Sequence, residues 1–181
     1  MHERRNRFFP GGGIAIVGLD SADIESVWAD LGMEKGAAVG LCVRSIKACP
    51  GTTFCKRGIK DSLGMGMQLD KLYHGLELPG KMKMGVSGCP NQCAETCIKD
   101  IGLVGMPKGW KLFVGGNGGA MPRLAVEFAA ELDDSQALGL IDKLVNFYRQ
   151  NAKPHQRFGL MIDRMGGIEA FKQAFADFSK A

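Results

Sequence analysis

Two cysteine pairs, Cys49 with Cys55 and Cys89 with Cys93, are the strongest constraint on how this chain folds. They are spaced C-x5-C and C-x3-C, and the gap between them is long enough for a helix and a strand. A fold that unites them must bring two separate turns to one place, and four thiolates gathered there suit a metal site. Six cysteines in an exported chain would suggest three disulfides. The start, MHERRNRFFPGGG, has no hydrophobic segment and no small-residue cleavage site, which points to a soluble cytoplasmic protein with reduced thiols. No apolar run approaches the roughly eighteen residues that a membrane helix needs. With 181 residues, 45% of them hydrophobic, the chain can build one domain or two small lobes sharing a core. The net charge of +4 comes without the dense basic block or interleaved aromatics of nucleic-acid binding, and fits a small anion or an acidic partner protein.

The order of elements follows from periodicity and punctuation. Arg4, Arg5 and Arg7 precede Gly11, Gly12 and Gly13, which lead into a strand at 14–17. These glycines come before the strand, so they are not a dinucleotide fingerprint, and no phosphate-loop motif occurs. Asp20 or Ser21 is placed to cap a helix with Ile24, Val27, Trp28 and Leu31 on one face and Gly32 as its stop. Residues 37–47 read as a second strand, which completes a β-α-β unit. Between Cys55 and Gly75 the pattern is helical, with Ile59, Leu63, Met67, Leu69 and Leu72 available for burial. Residues 81–87 alternate, putting Lys81 and Lys83 on one face of a strand and Met82 and Met84 on the other. Pro90 suits the first turn of a helix through about residue 98. Strands follow at 101–104, 110–114 and 124–128, then helices at 135–150, 155–165 and 167–178.

Cys49 leaves a strand, turns through Pro50 and Gly51 and enters a helix with Cys55 in its first turn, and the second pair repeats the design with Cys89 and Cys93, four apart, on one helix face. Four cysteines in these two settings favour a 4Fe-4S cluster. A cluster takes one thiolate per iron and is stabilised by backbone N–H donors and helix N-termini in a site largely closed to water. Zinc favours tighter C-x2-C or C-x4-C knuckles. Cys42, in a strand, reads as a small buried hydrophobe. Cys97 lies one helical turn beyond Cys93 and reads as a packed or surface thiol. His2, His74 and His155 have no partner evident in the sequence.

The segments ACPGTTFC, LPGKMKMGVSGCPNQC, the GGNGG loop and the tail YRQNAKPHQRFGLMIDRMGGIEAF resemble the siroheme-dependent sulfite and nitrite reductases. The single copy of the module is similar to the low-molecular-mass assimilatory-type sulfite reductases. The resemblance implies a 4Fe-4S cluster on Cys49, Cys55, Cys89 and Cys93, with Cys93 also bridging to siroheme. It places Arg44 and Asn91 beside that cofactor, and it assigns the binding of the oxyanion to Arg44, Lys81, Lys83 and Arg7. Without the resemblance, Lys81 and Lys83 read as a solvated strand face; within it, the alternative role for Arg44 is to pair with a siroheme carboxylate instead of the oxyanion.

The expected fold is therefore α+β: a ferredoxin-like β-α-β lobe, then a mixed α/β lobe binding the cluster and siroheme, with a helical C-terminus. The expected boundary separates residues 1–48 from 49–181. The expected function is six-electron reduction of sulfite to sulfide, or of nitrite to ammonia. No flavin or nicotinamide motif is present, so electrons are expected from an external donor such as ferredoxin or a reductase subunit. One module encloses siroheme poorly, which raises a homo-oligomer or second subunit as the missing wall. The competing readings are a siroheme-free iron–sulfur module that docks to a partner, and a zinc-stabilised binding domain.

Overall fold

The structure is a computed structural model that describes residues 6–9, 13–16, 18–32, 39–44 and 46–180. The chain divides into two compact units, residues 1–35 and 36–181.

In the first unit β1 (Asn6–Phe9) and β2 (Gly13–Ile16) form an antiparallel pair, with Asn6 opposite Ile16 and Phe9 opposite Gly13. A single 3-10 turn, Ser21–Asp23, leads into α1 (Ile24–Leu31). Asp20, expected with Ser21 as a candidate cap, makes no side-chain cap bond to the turn, and the N-cap of α1 is Asp23, which makes none either. Gly32 ends α1 as expected, at φ 60°, where a left-handed residue turns its N–H back onto the Ala29 carbonyl. Arg4, Arg5, Gly11 and Gly12 lie outside the described residues, as does the side chain of Arg7, whose backbone pairs with Ala15.

The second unit is built on a five-stranded sheet in the order β3 (Lys47–Ala48), β4 (Met84–Ser87), β5 (Ile101–Met106), β6 (Gly109–Val114), β7 (Val126–Leu132). The first three strands run parallel and the last three antiparallel. Residues 37–47, expected as one strand, are only partly described, and within them Cys42 bridges to Glu77 and Val43 to Met82 before β3 begins. α2 is a single turn, Gly51–Phe54, followed by α3 (Ser62–Tyr73). The C-terminal helices are α4 (Asp134–Asn151), α5 (Phe158–Arg164) and α6 (Ile168–Phe178), close to their expected positions.

α3 turns a different face inward from the one its large residues suggested. Ser62, Met65, Gly66, Leu69 and Tyr73 are buried, whereas Ile59, Met67 and Leu72 are exposed. Gly66 explains this, because a Cβ there would lie 2.6 Å from the Ala48 Cβ, so the helix crosses β3 at its glycine. The core continues through Met82, Met84, Val86, Ile101, Leu103 and Leu112 to an aromatic group in which Phe147, Phe158 and Phe171 meet edge to face. The aromatic group packs through Phe128 on β7, and the cysteine turns leave from the opposite, parallel edge of the sheet. Among the described residues no helix is long and apolar enough to cross a membrane.

Candidate functional site

The two cysteine pairs lie at the C-terminal ends of neighbouring parallel strands. Lys47 pairs with Gly85 and Ala48 with Val86, and the Cys49 amide continues the ladder to the Val86 carbonyl at 3.0 Å. Both chains then turn away together. The Gly88 amide donates to the Cys49 Sγ at 3.1 Å, so the residue before one cysteine binds the sulfur of another. The Ile59 and Lys60 amides both donate to the Gly88 carbonyl, at 2.9 and 3.0 Å, which folds the segment after Cys55 onto the same point. Only glycine fits this crossing: a Cβ on Gly88 would lie 2.8 Å from the Gly51 Cα, and one on Gly51 2.5 Å from the Ser62 Oγ. Cys49, Cys55 and Cys89 are thus anchored around one close approach of backbone.

Two helical expectations fail here. Cys55 does not sit inside a helix; it follows α2 with φ −116° and ψ 120°, its amide closing the turn to the Gly51 carbonyl. Residues 89–98 do not form a helix either, so Cys89 and Cys93 share no helix face. The Gln92 amide closes a turn onto the Cys89 carbonyl at 3.3 Å, Gln92 and Glu95 take φ 51° and 56°, and one 3-10 turn, Thr96–Ile98, ends the segment. The Ser87 hydroxyl prevents a helix by holding the Ala94 amide at 3.1 Å, directly after Cys93. All six cysteines are free thiols: Cys42 and Cys89 are buried, Cys49 and Cys97 half-buried, Cys55 and Cys93 exposed.

Ser62, Ser87, Thr96 and Asp100 are the buried polar side chains among the described residues, and the first three serve these turns. Ser62 Oγ lies 3.1 Å from the Cys49 Sγ and donates to the Cys49 carbonyl at 2.9 Å. Thr96 donates to the Gln92 side chain at 2.7 Å. Buried polar groups are retained only where they are hydrogen-bonded, so this concentration marks a built site. Burial pushes the Cys49 thiol up, but the Gly88 amide, the Ser62 hydroxyl and the Gly51 amide outweigh it, and the thiol sits below its ordinary value.

The cations form a second group. Lys81 and Lys83 are exposed opposite the buried Met82 and Met84, as the alternation predicts. The Lys83 amide donates to the Asp100 Oδ2 at 2.8 Å, and Asp100 also receives Arg157 through Nε at 3.1 Å and Nη2 at 2.6 Å. Arg157 Nη1 donates to Asn117 of the GGNGG loop at 3.0 Å. Burial, then the charges of Lys99, Lys81 and Arg157, hold the Lys83 ammonium below its ordinary range, against the pull of Asp100. Sequence reasoning missed Lys99, Asp100, Asn117 and Arg157. The GGNGG and KPHQRF segments carried the family likeness but showed no role for single residues.

Arg44 joins this group through the backbone. Its amide donates to the Met82 carbonyl at 2.9 Å, which sets it beside Lys83 in register. Its Nη2 donates to the Gly40 carbonyl at 2.9 Å, while its Nε is buried without a partner among the described residues. Asn91 is exposed in the turn between Cys89 and Cys93. His74, without an evident partner in the sequence, meets Asp70 at 3.1 Å one helical turn away.

Among the described residues no three His, Cys, Asp or Glu side chains converge as they would around one metal ion. A 4Fe-4S cube puts each thiolate on a different iron and needs no such convergence. The donor set fits a cube: four free thiols on paired turns, with an amide already directed at one sulfur.

Residues 39–180 match the nitrite and sulphite reductase 4Fe-4S domain. The chain is 44% identical over 161 residues to the assimilatory-type sulfite reductase of Nitratidesulfovibrio vulgaris, covering 89% of this chain and 73% of that protein. It is 39% identical over 170 residues to the large subunit of the Klebsiella oxytoca nitrite reductase [NAD(P)H], covering 92% of this chain but only 18% of that subunit. Its fold superimposes on dissimilatory sulfite reductase I with a TM-score of 0.80 at 13% identity, over 95% of this chain and 62% of that one. With the domain match spanning the second unit's cysteine turns and cation face, the chain belongs to the nitrite and sulphite reductase 4Fe-4S domain family.

Proposed function

We propose that this chain reduces sulfite or nitrite by six electrons at siroheme coupled to a 4Fe-4S cluster, with Cys49, Cys55, Cys89 and Cys93 as cluster ligands and Cys93 as the bridge. The observation that carries this reading is the meeting of the two parallel turns at Gly88, where an amide donates to the Cys49 sulfur at the end of β4, the strand that Lys81 and Lys83 lead into. When bound, the two groups would relay electrons from an external donor to the oxyanion; the remaining work falls to the protein.

A small oxyanion gains negative charge as it is reduced and must take up protons. Fixed cations that need no reorganisation stabilise that charge. Lys81, Lys83, Lys99 and Arg157 supply it, and Asp100 fixes two of them by holding the Lys83 backbone and the Arg157 fork. Lys83, with its proton affinity lowered first by burial and then by its cationic neighbours, is the proton donor of the set. Arg44, beside Lys83 and with a buried Nε that has no partner among the described residues, is assigned to the carboxylates of the macrocycle or to the oxyanion, and Asn91 to the cofactor face. Arg7 is proposed as a further anion contact. The donor is an external electron-transfer protein, and a second copy of the chain is the proposed outer wall.

Protein made with siroheme available and purified without oxygen tests this reading by its visible spectrum. A Soret band and a red macrocycle band over the cluster shoulder are expected. A cluster shoulder without macrocycle bands would leave an iron–sulfur module that serves a partner, and a colourless protein would exclude both centres.

A further inference from the structure

The four buried polar side chains differ in what they bind. Ser87 and Asp100 hold amides and Thr96 holds an amide side chain, whereas Ser62 alone places its oxygen against a sulfur. Ser62 is fully buried in the first turn of α3, in a cradle so close that a Cβ on Gly51 or Gly88 would meet its Oγ at 2.5 or 2.9 Å. The hydroxyl cannot turn to water. It has one proton and two acceptors in reach, the Cys49 carbonyl at 2.9 Å and the Cys49 Sγ at 3.1 Å. A thiol at Cys49 can donate to Ser62 Oγ while Ser62 donates to the carbonyl; a metal-bound thiolate has no proton to give.

Resting on the cluster reading above, we propose that Ser62 is a positioning residue that tunes the reduction potential through Cys49. With Cys49 as a thiolate ligand, the Ser62 hydroxyl donates to its sulfur together with the Gly88 amide. One-electron reduction places more negative charge on the cluster sulfurs, and a hydrogen bond to a charged acceptor strengthens with that charge. The reduced state therefore gains more from Ser62 than the oxidised state. No covalent bond changes: one electron enters from the donor, and the hydroxyl proton shifts its share from the carbonyl to the sulfur. Burial preserves the effect, because no solvent competes for the hydroxyl.

The test is an EPR-monitored redox titration of anaerobically purified holoprotein, comparing the natural chain with Ser62→Ala and Asp61→Ala. Asp61 caps the same helix through the Gly64 amide at 2.9 Å, so its loss loosens α3 without removing the sulfur contact. Ser62→Ala is expected to disfavour reduction about tenfold, a fall of about 59 mV for a one-electron couple. Asp61→Ala is expected to lower the unfolding midpoint and leave the potential unchanged. An unchanged potential in Ser62→Ala, or an equal shift in Asp61→Ala, overturns the proposal. Should Ser62→Ala not fold, the same titration on Ser62→Cys decides, since a thiol fills the space of the hydroxyl and donates a weaker hydrogen bond. A lowered potential supports Ser62, and an unchanged one refutes it. Cys49→Ser retaining a fully natural cluster spectrum would instead overturn the ligand assignment beneath it.

Discussion

Replacing Arg157 with methionine should damage this protein more than any exposed cation would, because of what it leaves behind. Asp100 is 0% exposed and takes both arms of the Arg157 fork, at 3.1 and 2.6 Å. Methionine fills much of the same space and leaves the carboxylate with only the amides of Lys83 and Phe158. Removing one partner of a buried ion pair costs about 3–5 kcal/mol. For a chain of this size that is a fall in unfolding midpoint of roughly 6–20 °C. The loss should also depend on pH. Burial already pushes the Asp100 carboxyl up, opposed chiefly by Arg157, so the variant's carboxyl rises further. A folded value above the unfolded one means that the native state binds more protons, so stability falls as pH rises from about 4 toward that folded value. Arg157→Met should therefore be less damaging at pH 5 than at pH 8, and adding Asp100→Asn should recover at least half of the loss at pH 8. Thermal unfolding followed by circular dichroism measures all three. A loss under about 1 kcal/mol, or one that is equal at the two pH values, would refute the argument.

Glu95 gives the opposite sign. Hydrogen bonds from Lys47 and Lys99 hold its carboxyl down at about 2, so its contribution is complete above the ordinary value near 4.3 and disappears as pH falls toward 2. With side chains half exposed, Glu95→Gln should cost under about 1 kcal/mol at pH 7 and nothing at pH 2, measured by urea unfolding at each pH. Lys83→Ala should leave both the cluster and macrocycle spectra intact and lower turnover with sulfite or nitrite at least tenfold; full activity would remove Lys83 from the oxyanion site.

What was legible in the sequence was what periodicity and side-chain chemistry encode locally. Lys81 to Met84 alternate because each residue faces either water or core, and the C-terminal helices show their buried stripes. The failures lie where a long-range contact overrules the local pattern. Residues 89–98 carry helix-compatible residues after Pro90, but the Ser87 hydroxyl takes the Ala94 amide, and Gln92 and Glu95 adopt left-handed backbone. α3 buries its glycine side because β3 passes there, which no window confined to 55–75 could reveal. Asp100 and Arg157, 57 residues apart, look like ordinary surface charges until the fold joins them.

The shared register of β3, β4 and β5 ties the two halves of the site together. Lys47 lies opposite Gly85 and Met84 opposite Ile101, so Cys49 meets Gly88 and the Lys83 amide meets Asp100 only in this alignment. A slip of one residue along β4 would turn Lys81 and Lys83 into the core and would also carry Gly88 away from the Cys49 sulfur. Met82 and Met84, 0% and 1% exposed, forbid that slip by the apolar area they would expose, about 1.5–3 kcal/mol each. The sulfur turns and the cation face are therefore placed by one set of core contacts. A core substitution that shifted β4 would disturb both together, whereas changes confined to Ser62 or to Lys83 should separate them.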